Sequence, residues 1–193
     1  KGFSEERIPH RFIWCSSPDR GLEEVLTMWA DIKNKLPDAE LKIFYGWEYF
    51  NSSLHIPEQR QFKERIKVLL NQAGVQWCGR VGQEQLAHEL KQADCMLYPP
   101  HSFRETYGIT FLEAQATGML IFYRQNGALG ETIGKRGIPI PMEASKEQII
   151  NTIVDTLEAK ERCAKIREEA EIYAMNRDWS GQVAKMIELY KML

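Results

Sequence analysis

Short apolar runs alternate with amphipathic stretches of helical spacing from residue 11 to residue 140, and no other feature restricts the available folds as strongly. Residues 11–16 form a compact apolar run suited to a buried strand, and Ser17, Pro18, Asp19 and Gly21 mark a loop after it. Leu22, Val25, Leu26, Trp29 and Ile32 then recur at the period of a helix across Leu22–Lys35, which Pro37 ends. The unit repeats: strand 40–45, loop 46–56, helix 57–71, strand 75–78, the turn Gly79-Arg80-Val81-Gly82, helix Gln83–Gln92, strand 94–98. A loop through Pro99, Pro100 and His101 leads into a helix ending at Thr117, followed by strand 119–123, a Gly-rich turn with a short helix at 126–133, and strand 137–140. Residues 144–193 read as helices, with Ile149, Ile150, Ile153 and Leu157 on one face and a final amphipathic segment from Trp179.

Strands that alternate with helices are joined by right-handed crossovers and lie parallel, which predicts an α/β, doubly wound, Rossmann-like six-stranded sheet with helices on both faces. With 193 residues, 44% of them hydrophobic, one domain with a substantial core is expected, preceded by a polar linker at 1–10. In such sheets a ligand sits beyond the carboxyl ends of the strands, at the switch in strand order. The loops after strands one, three, four and five are therefore the places to search, and they carry Arg20, Arg80, Glu105 and Glu131.

The segment 104–118 joins two acids to an anion cradle. Glu105 stands in the loop after the fourth strand, and Glu113 follows eight positions later within a predicted helix. Between them the N–H groups of Tyr107, Gly108 and Ile109 fall in a first turn without intrahelical acceptors, where the helix dipole favours a phosphate. Each carboxylate offers acceptors only and suits hydroxyl donors. A molecule with hydroxyls at both ends and phosphates between them, such as a nucleotide sugar, satisfies all three. The separation agrees, because eight helical residues span roughly 12 Å, and less where the first few are loop.

The remaining composition removes other classes. The 25 basic and 27 acidic residues interleave to a net charge of -2, which supplies no broad field for a nucleic acid. Cys15, Cys78, Cys95 and Cys163 stand at no metal-like spacing, and three of them resemble small buried apolar residues, so a reduced, cytoplasmic setting is expected. No run is long enough for a transmembrane segment, and no signal peptide is visible. The first residue is Lys1 rather than Met, which suggests a piece of a longer protein.

The pattern Glu-x-Tyr-Gly-x-x-x-x-Glu-Ala-x-Ala-x-Gly from Glu105 to Gly118 resembles the Glu-x7-Glu signature of retaining GT-B glycosyltransferases, the family 4 group in particular. The resemblance runs from about Phe12 to Leu193 and covers the carboxy-terminal, donor-binding half of that fold. Further pieces fall in the same order: Ser-Pro-Asp-Arg-Gly21, Gly79-Arg-Val81, Ala93-Asp94 ahead of Leu97-Tyr-Pro99, and 127–131. By this resemblance Glu105 is the catalytic-site residue that contacts donor-sugar hydroxyls. Glu113 holds the ribose 2′ and 3′ hydroxyls, and Thr106, Tyr107, Gly108 and Ile109 meet the sugar and diphosphate. Gly79, Arg80 and Val81 line the nucleobase, while Arg20 takes the place of a phosphate-binding lysine, with a solvent-exposed loop arginine as its plain alternative. The implied ligand is a UDP- or GDP-linked sugar with no metal, and the implied partner is an N-terminal acceptor-binding domain of the parent protein, without which the chain transfers sugar poorly.

Two departures accompany the resemblance. The family's Gly-Arg after strand one is replaced by Cys15-Ser16 or Ser16-Ser17, which leaves a serine hydroxyl where a cation is usual. Thr106 replaces a proline after the first glutamate. Smaller candidates are His101 near the donor, Glu131 beside the sugar pocket, and Trp47, Tyr49 and Phe50, which either face an acceptor or pack on a neighbouring helix. A non-catalytic sugar-nucleotide-binding module and a nucleotide-sugar epimerase are the competing functional readings.

Overall fold

The computed structural model describes residues 6–52, 55–100, 103–177 and 179–192. Six strands form one parallel sheet: β1 (Arg11–Trp14), β2 (Glu40–Ile43), β3 (Val75–Trp77), β4 (Cys95–Tyr98), β5 (Leu120–Arg124) and β6 (Ile138–Ile140). Their order is β3-β2-β1-β4-β5-β6, so the direction of winding reverses between β1 and β4. Both of these strands are apolar because both faces are covered. Every residue of β4 and β5 is buried, and in β1 Phe12, Ile13 and Trp14 are each 1% exposed.

The helices are α1 (Leu22–Lys35), α2 (Glu48–Asn51), α3 (Pro57–Leu69), α4 (Gln83–Gln92), α5 (Ile109–Ala116), α6 (Leu129–Thr132), α7 (Lys146–Glu158), α8 (Lys160–Met175) and α9 (Trp179–Lys191). Helix α1 packs against α3 and α7, and α5 against α4 and α8, which gives one layer on each face of the sheet. On α1 the residues of the predicted apolar stripe, Leu22, Val25, Leu26, Trp29 and Ile32, are all buried. A capping box starts α7, where Gln148 N donates to Ser145 Oγ at 3.2 Å and the Gln148 side chain accepts from Ser145 N at 2.9 Å.

The structure revises several predicted boundaries. Strand one stops at Trp14, because the chain turns out of the sheet there and the Trp14 indole N–H donates to Ser16 O at 2.7 Å. The predicted loop 46–56 contains the short helix α2, held by packing of Trp47 on Trp77 (4.9 Å between centroids, 9° between planes) and of Phe50 on Phe62 (5.5 Å). Packing is therefore the observed role of Trp47 and Phe50, while the Tyr49 side chain and all of His101 lie outside the described residues. Of the four free cysteines, Cys95 and Cys163 are buried, whereas Cys15 and Cys78 are only partly so, one fewer than the three expected. On helix α9 Val183, Met186, Ile187, Leu189 and Tyr190 are all exposed.

Candidate functional site

The loops after β1 and β4 meet at the switch point because one residue there has no side chain. Gly21 has φ +113°, and a Cβ on it would lie 2.8 Å from Pro100 Cβ. The Pro18–Arg20 turn before it carries Arg20 toward the β4 loop, where the guanidinium lies 4.5 Å from the centroid of Phe103 and Nη1 lies 3.6 Å from Glu105 Oε2. The predicted phosphate cation and the predicted sugar carboxylate are thus neighbours. Glu105 is 8% exposed, whereas the Arg20 side chain remains 40% exposed and can turn toward a ligand.

Glu105 is fixed through its backbone as well as its side chain. It forms an isolated parallel bridge with Gly127, and its carbonyl accepts from Ala128 N at 2.8 Å. Gly127 adopts φ +63°, and any Cβ there would collide with the Glu105 backbone. Asn126 adds a third tie, its amide donating to Phe103 O at 3.0 Å.

After Glu105 the chain prepares the start of α5. Thr106 N donates to Glu105 Oε1 at 3.2 Å. Gly108, at φ +80° and ψ 62°, is the N-cap residue, and a Cβ there would stand 2.5 Å from the Phe111 ring. The helix proper starts at Ile109, so Tyr107 and Gly108 precede the first turn rather than belong to it. Their amides and that of Ile109 donate to no described residue. The side chains of Tyr107 and Ile109 are 46% and 60% exposed, which leaves the cradle open to solvent.

The cradle is braced from behind. Thr132 Oγ1 donates to Tyr107 O at 2.7 Å, Gln115 Nε2 donates to Thr132 O at 3.0 Å and to Phe111 O at 3.1 Å, and Arg136 Nε donates to Gln115 Oε1 at 3.1 Å. Sequence reasoning missed all three side chains. A signal existed for Gln115, an amide set between Ala114 and Ala116 on a predicted buried helix. Arg124 was also missed. At 1% exposure it ends the fully buried β5 and bonds to the carbonyl of Pro99, to Glu24, and to the carbonyls of Pro141 (3.4 Å) and Ala144 (3.1 Å), which binds together the loops after β4 and β6.

Glu113 lies on the exposed side of α5. Burial, reinforced by the Glu113 charge, pushes the Cys15 thiol up to about 12. Partial burial raises the Glu113 carboxyl above the usual range, and no described partner offsets it. Ser16, after the end of β1, is half-buried. Gly79, Arg80 and Val81 follow the edge strand β3, two strands from β1, a distance of roughly 10 Å along the rim. Arg80 is exposed, and Gly79 takes φ +70° with nothing within 4 Å of a Cβ placed on it. Glu131 is exposed in α6, and its carbonyl accepts from Arg136 at 3.3 Å. Among the described residues, no group of three or more His, Cys, Asp and Glu side chains could hold a metal ion, and no helix is long and apolar enough to cross a membrane.

An anion cradle and two acids at the switch point of a six-stranded sheet invite comparison with known proteins. Residues 16–173 match the family described as Glycosyl transferases group 1. The chain belongs to this family. The match spans every feature of the site, from Ser16 to Arg136. Similar folds include sucrose-phosphate synthase from Thermosynechococcus elongatus, with a TM-score of 0.75, 18% identity, and coverage of 95% of this chain and 45% of that one. Alr3699/HepE from Anabaena, determined in complex with UDP and glucose, gives 0.75 at 16% identity and covers 95% and 48%. The C-terminal domain of a glycosyl transferase group 1 family protein (LpcC) from Francisella tularensis gives 0.65 at 14% identity and covers 89% and 87%. At these identities the likeness shows the fold, the Rossmann-like half carried at the C-terminal end of GT-B glycosyltransferases. This group 1 chain spans less than half the length of the first two proteins. No curated protein sequence matches it significantly.

Proposed function

We propose that this group 1 domain is the donor-binding half of a retaining, family 4 type glycosyltransferase. It holds a nucleotide-diphosphate sugar, linked to UDP or GDP, and presents the sugar to an acceptor bound by an N-terminal domain of the parent protein. The observation that carries the reading is the amide set of Tyr107, Gly108 and Ile109, without acceptors among the described residues and placed directly after buried Glu105 and one turn before Glu113. The amides and the positive end of α5 receive the diphosphate, with Arg20 as its cation. Glu105 accepts from sugar hydroxyls, and Glu113, with two oxygens and no partner among the described residues, accepts from the vicinal pair of the ribose. The turn at Gly79, Arg80 and Val81 lies far enough along the rim to meet the base.

In transfer, negative charge grows on the leaving diphosphate. Donors already aimed at that position lower the barrier without reorganising, so the reading assigns stabilisation to the amides, the helix dipole and Arg20 and calls for no metal. Glu105 orients the ring and supports positive charge at its reacting carbon. A cytoplasmic setting follows from the same reading, since nucleotide sugar and free thiols coexist there. The Anabaena protein of similar fold, determined with UDP-glucose, supports the choice of donor class. The exposed apolar side chains of α9 suit a covering domain.

Calorimetric titration of the chain with nucleoside diphosphates of uracil, guanine and adenine, and with their hexose conjugates, tests the proposal. Binding of one base class, with a further gain from the hexose, is expected. Absence of binding to every member of the panel would overturn it.

A further inference from the structure

Among the described residues, one buried side-chain polar atom lacks a hydrogen-bond partner: the hydroxyl of Tyr98. The residue ends β4, directly at the switch point, and is 2% exposed. Its ring is locked on two sides, stacked on Trp14 at 5.4 Å and 22° and meeting Phe111 edge-on at 4.7 Å. The hydroxyl therefore cannot swing to find a partner elsewhere. Burial raises its ionisation far above the ordinary phenol range, and the nearby Glu105 charge adds to this while Arg20 opposes it; Asp19 is also close, and the Ser16 side chain is a weak hydrogen-bonding neighbour that falls short of a well-formed bond. It is a neutral donor at working pH, set among the residues that surround the anion cradle.

A buried hydroxyl without a partner destabilises a folded chain, and burying a phenylalanine at the same place would avoid that cost. Phenylalanine keeps both ring contacts. The hydroxyl makes no well-formed hydrogen bond within the free chain, and its place at the end of β4 beside Ser16, Arg20 and Glu105 assigns it to a ligand. We propose that Tyr98 is a donor-positioning residue whose hydroxyl donates a hydrogen bond to a phosphate oxygen of the bound nucleoside diphosphate. The inference rests on the donor-binding reading above and adds to it a neutral donor from the floor of the site. Beside the Ser16 hydroxyl, such a donor binds phosphate without adding positive charge.

The test is Tyr98→Phe, read in two ways on the full 193-residue chain. Calorimetry with UDP and GDP is expected to show about a tenfold loss of affinity for whichever of them the unaltered chain binds. Thermal unfolding without nucleotide is expected to give a higher melting temperature for the variant. Unchanged affinity overturns the proposal, and so does a lowered melting temperature, which would show that the hydroxyl supports the fold itself. If the unaltered chain binds neither UDP, GDP nor any other nucleoside diphosphate, the donor-binding reading fails and this inference with it. If Glu113→Ala loses affinity while Tyr98→Phe does not, only the inference fails.

Discussion

Arg20 Nη1 stands 3.6 Å from Glu105 Oε2, so the cation assigned to the diphosphate and the acid assigned to the sugar are paired with each other before any donor arrives. A partly exposed pair at this distance adds little to stability. Its consequence is for binding, because a donor must draw Arg20 away from Glu105 or share it. Glu105→Gln releases the arginine and is expected to leave nucleoside diphosphate affinity equal or higher, while the extra affinity of the hexose conjugate disappears. Arg20→Met is expected to weaken diphosphate binding by about 10-fold to 100-fold, as for a charge-assisted hydrogen bond, and to leave the melting temperature nearly unchanged. Calorimetry on the two variants checks both.

Glu113 acts at the opposite end of the ligand. Glu113→Ala is expected to weaken every ribonucleotide by about tenfold and to abolish discrimination between UDP and its 2′-deoxy form. Glu105→Ala should keep that discrimination. Equal losses in the two variants would refute the division of roles.

The raised ionisation of the Glu113 carboxyl gives a pH signature. Its folded value lies above the unfolded one, so the folded state holds the proton more tightly, and stability falls as pH rises from the unfolded value through the folded one. Glu113→Gln is therefore expected to melt at a higher temperature than the parent at pH 7, with the gap closing below about pH 4. Affinity for a nucleotide sugar should decline on acidification through the same window, and more weakly in the variant. Melting and titration between pH 4 and 8 test this.

Gly127→Ala sets a side chain against the backbone of Glu105. Loss of about 1–3 kcal/mol in urea unfolding is expected from the left-handed conformation alone. Hexose-dependent affinity should suffer with it, because the clash displaces the acid.

Thr132→Val removes the donor to the Tyr107 carbonyl while nearly conserving shape. About 1–2 kcal/mol of stability is expected to be lost, and diphosphate affinity should fall several-fold as the amides lose their brace. If binding holds while stability drops, the brace has no bearing on the cradle.

The domain alone is expected to bind donor and to transfer sugar slowly or not at all to simple acceptors. Robust turnover by the 193 residues, followed by release of labelled product, would contradict the assignment of the acceptor to another domain.

Much of the fold was open to reading from local pattern. The stripe on α1 and the apolar runs of β1, β4 and β5 are periodic signals that depend on near neighbours, and the alternation of strand and helix fixes parallel pairing. Strand order is not local: nothing between Trp77 and Cys95 states that β4 returns beside β1 rather than β3. Strand one was read too far because Cys15 is apolar enough to continue it, while the bond from Trp14 to Ser16 O turns it away. Helix α2 escaped because Trp47 meets Trp77 thirty positions later, a contact that no short window contains. In the site, Glu105, Glu113 and the intervening amides stood out through their spacing. The pairing of Arg20 with Glu105, the partnerless hydroxyl of Tyr98 and the Thr132–Gln115–Arg136 brace did not, since each joins or isolates groups by topology alone.

The bridge between Glu105 and Gly127 changes what kind of place the acid occupies. A carboxylate on a free loop drifts with every alteration of its neighbours, but this one is hung from the lattice of the sheet and inherits the stiffness of β5. Surrounding rim residues can be exchanged for others suited to a different hexose while the acid keeps its coordinates, so the scaffold can change its preferred sugar without rebuilding the point at which that sugar is held.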